Sequence, residues 1–291
     1  MSNSTGNFNL DKFDMKRLIK NAEGKSVNPR IAIIAKSGSG KSVIIKDIMN
    51  EFYKENIPCG IVIAPTDKVT KFYDDFIPPV FIYHEYEDHI ISRFFKRQNK
   101  KLDENQERIK MGKSAIDTRA YFIMDDCMST KKLWLNNPLI LSIFNEGRHY
   151  QFCPFILSMQ YCLGIEPELR NNFDYIFLLG EDTHSSKKKI HEHYAGIFKT
   201  YDHFDQVFSQ VTDNYGCMVI DNRLRSSDIT KKVFWYKARI DIPEFKLGCS
   251  KVLKYNKKKY DENHNKREPI MDINQINNGR RKNIIKVTMN E

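Results

Sequence analysis

Residues 35–42 read Ala-Lys-Ser-Gly-Ser-Gly-Lys-Ser, placed between an isoleucine-rich run at 30–35 and a segment whose apolar residues recur every three to four positions. A glycine-rich turn joining a strand to a helix gathers backbone N–H groups and the positive end of the helix dipole around one point, which is the chemistry of a phosphate cradle. The strand feeding such a loop carries apolar residues on both faces and needs helices above and below it. An α/β fold follows, with a helix over about 41–53 whose buried face is Ile44, Ile45, Ile48, Met49 and Phe52.

Ser37, Gly38, Ser39, Gly40, Lys41 and Ser42 are the nucleotide-binding candidates. In the pattern G-x-x-x-x-G-K-[ST] the lysine holds the β- and γ-phosphates and the final hydroxyl serves Mg²⁺, so ATP and Mg²⁺ are the expected ligands. Ala35 replaces the first glycine, a departure an alanine tolerates if its φ stays negative. The plain alternative is a chance Gly/Ser turn, and the flanking strand and helix argue against it.

A second apolar run, 120–124, ends in Asp125 and Asp126. The C-terminal tips of buried strands are where α/β sheets bind ligands. Asp125 is therefore the Mg²⁺ candidate, and Asp126 the candidate to orient or deprotonate the attacking water. Gln160 ends the next run, 154–158, where its amide can contact the γ-phosphate or that water. In motor ATPases a strand inserted between the loop strand and the acidic strand carries such a sensor, whereas simple nucleotide kinases lack it. Arg148 is the favoured arginine finger and Arg170 the second, each able to complete a neighbouring subunit's site.

Further strands are predicted at 60–64, 80–83 and 175–179, with a hairpin formed by 215–220 and 233–238. Residues 88–113 read as a charged helix with no single apolar face, and 185–211 as helical. The fold class is thus a P-loop NTPase, a central, mostly parallel sheet flanked by helices, with a C-terminal β-hairpin. The expected divisions are a docking helix and linker at 1–27, the ATPase domain at 28–240, and a flexible basic tail at 241–291.

The formal charge of +10 favours a polyanionic partner or a membrane surface. No apolar run approaches the length of a bilayer span and no secretion signal opens the chain, so a soluble, unsecreted protein is expected. Six scattered cysteines without a Cys-x-x-Cys pair read as free thiols; Cys127 and Cys162 lie close enough to the predicted site to affect it if modified. Arg93, Lys96, Arg97, Lys100 and Lys101 mix with Phe94 and Phe95 and are DNA-contact candidates, with a solvated helix face as the equal alternative. The histidines at 184, 191 and 193 sit among lysines and read as surface residues, not metal ligands.

Ser-Gly-Ser-Gly-Lys-Ser at 37–42, Ile-Met-Asp-Asp-Cys at 123–127, Gly-Arg-His at 147–149 and Ser-Met-Gln at 158–160 together resemble the packaging ATPases of nucleocytoplasmic large DNA viruses, within the FtsK-HerA group. Glu-Leu-Arg-Asn-Asn-Phe-Asp-Tyr at 168–175 and Phe-Trp-Tyr-Lys-Ala at 234–238 are similar to that group as well. The resemblance covers roughly 28–240. It implies an ATP-driven motor that threads double-stranded DNA into a capsid as a pentameric or hexameric ring, contacting a capsid or portal component, in the host cytoplasm and retained in the virion. Two other classes stand beside it. A nucleoside or nucleotide kinase would need an acceptor pocket and an arginine-bearing lid; a non-enzymatic basic DNA-binding or capsid protein would carry a vestigial loop.

Overall fold

A computed structural model describes residues 9–21, 23–160 and 165–260. Eight strands form one sheet: β1 (Arg30–Ile34), β2 (Cys59–Ile63), β3 (Ile82–Tyr83), β4 (Ala120–Asp125), β5 (Phe152–Met159), β6 (Tyr175–Leu179), β7 (Gly216–Asp221) and β8 (Val233–Lys237). Their spatial order is β3-β2-β4-β5-β1-β6-β7-β8. All pairings from β3 to β6 are parallel, while β7 runs antiparallel to both β6 and β8. The expected hairpin is therefore present, and β5 lies between the loop strand β1 and the acidic strand β4.

The helices are α1 (Lys41–Lys54), α2 (Asp67–Thr70), α3 (Asp88–Lys110), α4 (Lys131–Trp134), α5 (Pro138–Glu146), α6 (Pro167–Arg170), α7 (His184–Tyr194), α8 (Tyr201–Val211), α9 (Ile229–Lys232) and α10 (Ser250–Lys259). They cover both faces of the sheet, as a parallel sheet buried on both sides requires. One core gathers Ile44, Ile45, Ile48, Met49 and Phe52 of α1 against Ile31, Ile33 and Phe177. The other gathers α3, α5, α7 and α8 through residues such as Phe94, Phe144, Ile190 and Phe204.

Several boundaries differ from the sequence expectations. The predicted N-terminal docking helix is a single 3₁₀ turn, Met15–Leu18. Ahead of it, Trp235 donates its N–H to Asp11 and Phe13 donates its N–H to Trp235, so this segment covers the free edge of β8. Its apolar residues are spent on that contact: Phe13 meets Tyr175, Phe177 and Phe234 edge to face.

The charged helix α3 does have one apolar face, formed by Ile90, Ile91, Phe94 and Phe95 in its first half. The second half buries nothing, which dilutes the pattern when all 23 residues are read together. The predicted helix at 185–211 is two, α7 and α8.

Packing does not stop at 240, where the flexible tail was expected to begin. Phe245 and Leu247 are buried, Leu247 donates its N–H to Phe76, Cys249 donates to Pro58, and the Tyr255 ring of α10 lies 6.0 Å from Phe81. Isolated apolar residues among lysines and asparagines gave no periodic signal for this segment. Residues 261–291 of the expected tail lie outside the described residues.

Candidate nucleotide site

The loop between β1 and α1 has Gly38 at φ +79° and Gly40 at φ +95°, a region that side chains other than glycine enter at a cost. Gly40 is also the residue immediately before α1, so the first amides of that helix face the loop's concavity. Ala35 is buried, keeps a negative φ and donates its N–H to Met159, which shows why the missing glycine costs the loop nothing. Lys36 pairs with Asp182 from the segment after β6, bracing the outer side of the loop.

Lys41 and the strand tips meet beneath the loop. Lys41 Nζ lies 3.1 Å from Asp125 Oδ1, with both side chains largely buried. Tyr73 Oη donates to the other carboxylate oxygen, Oδ2, at 2.9 Å. Burial first, and the neighbouring Asp125 charge second, push the Tyr73 hydroxyl well above its ordinary range. It therefore remains a donor at any physiological pH.

Asp126 takes a left-handed backbone conformation, φ +55°, as the chain leaves β4, and its N–H is donated to Ser158. Gln160 Nε2 donates to Asp126 Oδ2 at 2.8 Å. The parallel register of β4 and β5, which sets Asp125 beside Ser158, brings the amide and the acid together. Lys41, Asp125, Asp126 and Gln160 therefore line one cleft of about 790 Å³ with Ser37, Gly38, Gly40 and Ser42.

Asp125 Oδ1 has an ionic partner but accepts no aligned hydrogen bond, and Asp67 Oδ2 in the same cleft is buried with no hydrogen-bond partner. With the Ser42 hydroxyl, these are hard oxygen donors of the kind Mg²⁺ takes, supplemented by water and phosphate. The residues present thus fit the expected cation. Among the described residues no cluster of three or more His, Cys, Asp or Glu side chains is placed to hold a metal.

Sequence reasoning missed Tyr73, Asp67 and Tyr215. Tyr73 and Asp67 follow β2, whose tip ends beside β4, a placement that becomes visible only with the strand order. Tyr215 was read as the first residue of a strand. It stands before β7 at φ +61°, after Asn214 at φ +48°, and is 66% exposed along the cleft, with its ring beside Gly40. Two successive left-handed residues without a glycine, holding an aromatic in the open, are a strained arrangement of the type found at ligand sites.

The remaining predicted residues are elsewhere. Arg148 precedes β5 and pairs with Asp174, which precedes β6, so it sits at the opposite end of the strands from its own subunit's phosphate loop. Arg170 ends α6 and lies over the Tyr194 ring. On α3, Arg93, Lys96 and Lys100 are exposed, whereas Arg97 donates to Gln98 and Thr118, and Lys101 pairs with Glu104. His191 bonds the Phe198 carbonyl in the turn before α8, and His184 bonds the Tyr201 hydroxyl at the start of α8. Cys127 is buried with its thiol pushed up by burial, and its Sγ–H is donated to Ile63, so it is an inert core group. Cys162 lies outside the described residues.

The chain is similar to known viral proteins. A protein of Acanthamoeba polyphaga mimivirus is 41% identical over 254 residues, covering 87% of this chain and 85% of its own length. One of Invertebrate iridescent virus 6 is 31% identical over 265 residues, covering 85% and 96%. Among solved structures, the genome packaging NTPase B204 from Sulfolobus turreted icosahedral virus 2, in complex with sulfate, superposes with a TM-score of 0.51 at 15% identity, over 73% of this chain and 98% of that one. That likeness shows a shared P-loop NTPase fold. The family model described as Poxvirus A32 protein matches residues 11–188, and the chain belongs to that family.

Proposed function

We propose that this chain is an ATP-hydrolysing motor that moves double-stranded DNA into a viral capsid, working as a ring of identical subunits. The observation that carries the reading is the 2.8 Å hydrogen bond to Asp126 from Gln160, which follows β5, the strand inserted between the loop strand and the acidic strand. A kinase transferring phosphate to a small acceptor has no need of that amide. Membership of the A32 family and the fold shared with a viral genome packaging NTPase support the same reading.

In the hydrolytic step the loop amides and Lys41 hold the β- and γ-phosphates, and Lys41 leaves Asp125 to do so. Ser42 and Asp125 would hold Mg²⁺, which when bound neutralises phosphate charge. Asp126 accepts a proton from the attacking water while Gln160 orients that water. The new bond forms from water oxygen to the γ-phosphorus, and the bond to the β–γ bridging oxygen breaks. Loss of the γ-phosphate leaves Gln160 free to bond Asp126 again. Neither Arg148 nor Arg170 lines this subunit's cleft, which supports a finger role, for either, toward a neighbouring subunit's nucleotide.

The test is the fate of labelled γ-phosphate. It is expected as inorganic phosphate under all conditions; its appearance on a nucleoside or nucleotide acceptor would establish the kinase reading instead.

Tyr215 is assigned as the platform for the adenine base. A ring exposed at the cleft wall beside Gly40 offers a face for stacking, worth about 1–3 kcal/mol per base. Tyr215→Ala is therefore expected to raise KM for ATP about tenfold or more, with a smaller effect on kcat, while Tyr215→Phe stays near the parent. Steady-state kinetics with an unchanged KM in the alanine variant would remove Tyr215 from the base site.

A further inference from the structure

A second large concavity, of about 1070 Å³, opens at the edge of the sheet opposite the nucleotide cleft. It is walled by the segment that covers β8 and by the β7–β8 connection. Its cations are Lys16, Arg17, Lys20, Arg223, Arg225 and Lys231, against the acids Asp11, Asp14 and Asp221.

Two of those acids are already committed. Asp14 accepts the Lys16 N–H at the start of the 3₁₀ turn, and buried Asp221 accepts the Arg223 N–H and pairs with Arg17 at 3.6 Å. The inner wall is held firmly: Arg223 donates to the Tyr175 hydroxyl at 2.9 Å, and that hydroxyl donates to the Arg17 carbonyl at 2.8 Å. The outer cations are in a different condition. Lys16, Lys20 and Arg225 are exposed and make no ion pair among the described residues. Lys231 has only a partner at 3.7 Å, with both side chains largely in solvent.

We propose that this groove grips the phosphodiester backbone of duplex DNA; the proposal rests on the DNA-motor reading and gives that reading its contact surface. A ridge of uncompensated cations on a braced wall suits a polymer presenting one charge per about 1.7 Å of axis, and contacts of this kind carry no base preference. A motor that must pass any sequence needs that indifference. On α3, by contrast, two of the five basic candidates are tied up within the subunit, and Asp103 and Glu107 are exposed farther along the same helix.

The groove is also wired to the nucleotide. Phe234 at one end of β8 lines the groove, and Lys237 at its other end lines the nucleotide cleft. Between them Tyr236 donates to buried Asp47 of α1 at 2.6 Å, and Arg239 just beyond the strand donates to both oxygens of the same carboxylate. A shift of α1 when phosphate is bound or lost therefore pulls on the strand that forms one wall of the groove.

The experiment compares full-length protein with a Lys16→Gln, Lys20→Gln, Arg225→Gln variant, and with an Arg93→Gln, Lys96→Gln, Lys100→Gln variant. Binding to random-sequence duplex DNA is followed by fluorescence anisotropy across salt concentrations. With about 0.9 in slope per phosphate contact, the groove variant is expected to lose about 2 to 3 from the slope of log K against log salt. It is also expected to bind at least about tenfold more weakly at low salt, with basal ATP hydrolysis unchanged, while the α3 variant keeps most of the slope. A groove variant with the parent's slope and affinity overturns the proposal and leaves the motor reading standing. Parent protein that binds no duplex at low salt overturns the motor reading itself. Unchanged DNA binding with lost binding to polyglutamate gives the groove to an acidic protein partner and equally overturns the proposal.

Discussion

Asp126→Asn is expected to bind ATP with nearly the parent's affinity and to turn it over about a thousandfold more slowly. Positioned general bases contribute about 10²–10⁴ in rate, and an amide cannot accept the water proton. The substitution is unusually clean here because Asp126 sits at φ +55°, a region that Asn enters as readily as Asp. The Asn carbonyl oxygen still accepts the hydrogen bond from Gln160, so the loop and the sensor keep their geometry. A fluorescent ATP analogue measures the retained affinity and a phosphate-release assay the lost rate. Turnover above a tenth of the parent's would take the base role from Asp126.

Lys41→Ala is expected to lose both binding and turnover. Its ammonium is the cation beneath the loop, and loss of a single charged donor to developing phosphate charge costs about 10²–10³ in rate before the binding defect is counted. The structure adds a second effect. Without Lys41, Asp125 stays buried with the Tyr73 hydroxyl as its hydrogen-bond donor, and orphaning one member of a buried pair costs about 3–5 kcal/mol. The low end applies, since Tyr73 still donates to the carboxylate. Thermal unfolding of the apo protein should therefore shift down in Lys41→Ala and much less in Asp126→Asn, whose carboxylate is not part of that pair. An apo Lys41→Ala protein melting with the parent would mean that Lys41 and Asp125 do not depend on each other.

The elements of the nucleotide site were legible in the sequence because each rests on local chemistry. Glycines at 38 and 40, a lysine and serine opening a helix, and acids ending an apolar strand carry their geometry with them. Gln160 was singled out only through a class rule about an inserted strand, and the sheet order does set β5 between β1 and β4; its bond to Asp126 was not foreseen.

Long-range partners were not legible. Tyr73 comes 52 residues before Asp125, and no local pattern announces that a turn after β2 will deliver a hydroxyl to the tip of β4. The N-terminal segment misled for a related reason. Phe13, Met15, Leu18 and Ile19 are apolar because they cover the edge of the sheet and its hairpin, and a cover of that kind has no period to distinguish it from a helix face. The chain beyond 240 misled in the opposite direction, since Phe245 and Leu247 anchor it to the core through too few apolar residues to register as structure.

The chain's excess of positive charge, uninformative as a total, becomes informative by position. Lys16, Lys20 and Arg225 in the opposite groove make no ion pair among the described residues, while Arg97, Lys101 and Lys187 are paired or hydrogen-bonded within the subunit. Charge left uncompensated on a braced wall is what a polyanion meets first.

The central claim is that hydrolysis at the loop is coupled to duplex DNA. The most direct measurement is steady-state phosphate release by the full-length protein with and without duplex DNA over a range of salt, with Asp126→Asn as the control for contaminating activity. DNA is expected to raise the rate severalfold at low salt, the stimulation fading as salt displaces the protein from phosphate, with no activity in the control. A rate indifferent to DNA at every salt concentration, from protein shown to be assembled as a ring and bound to the duplex, would contradict it.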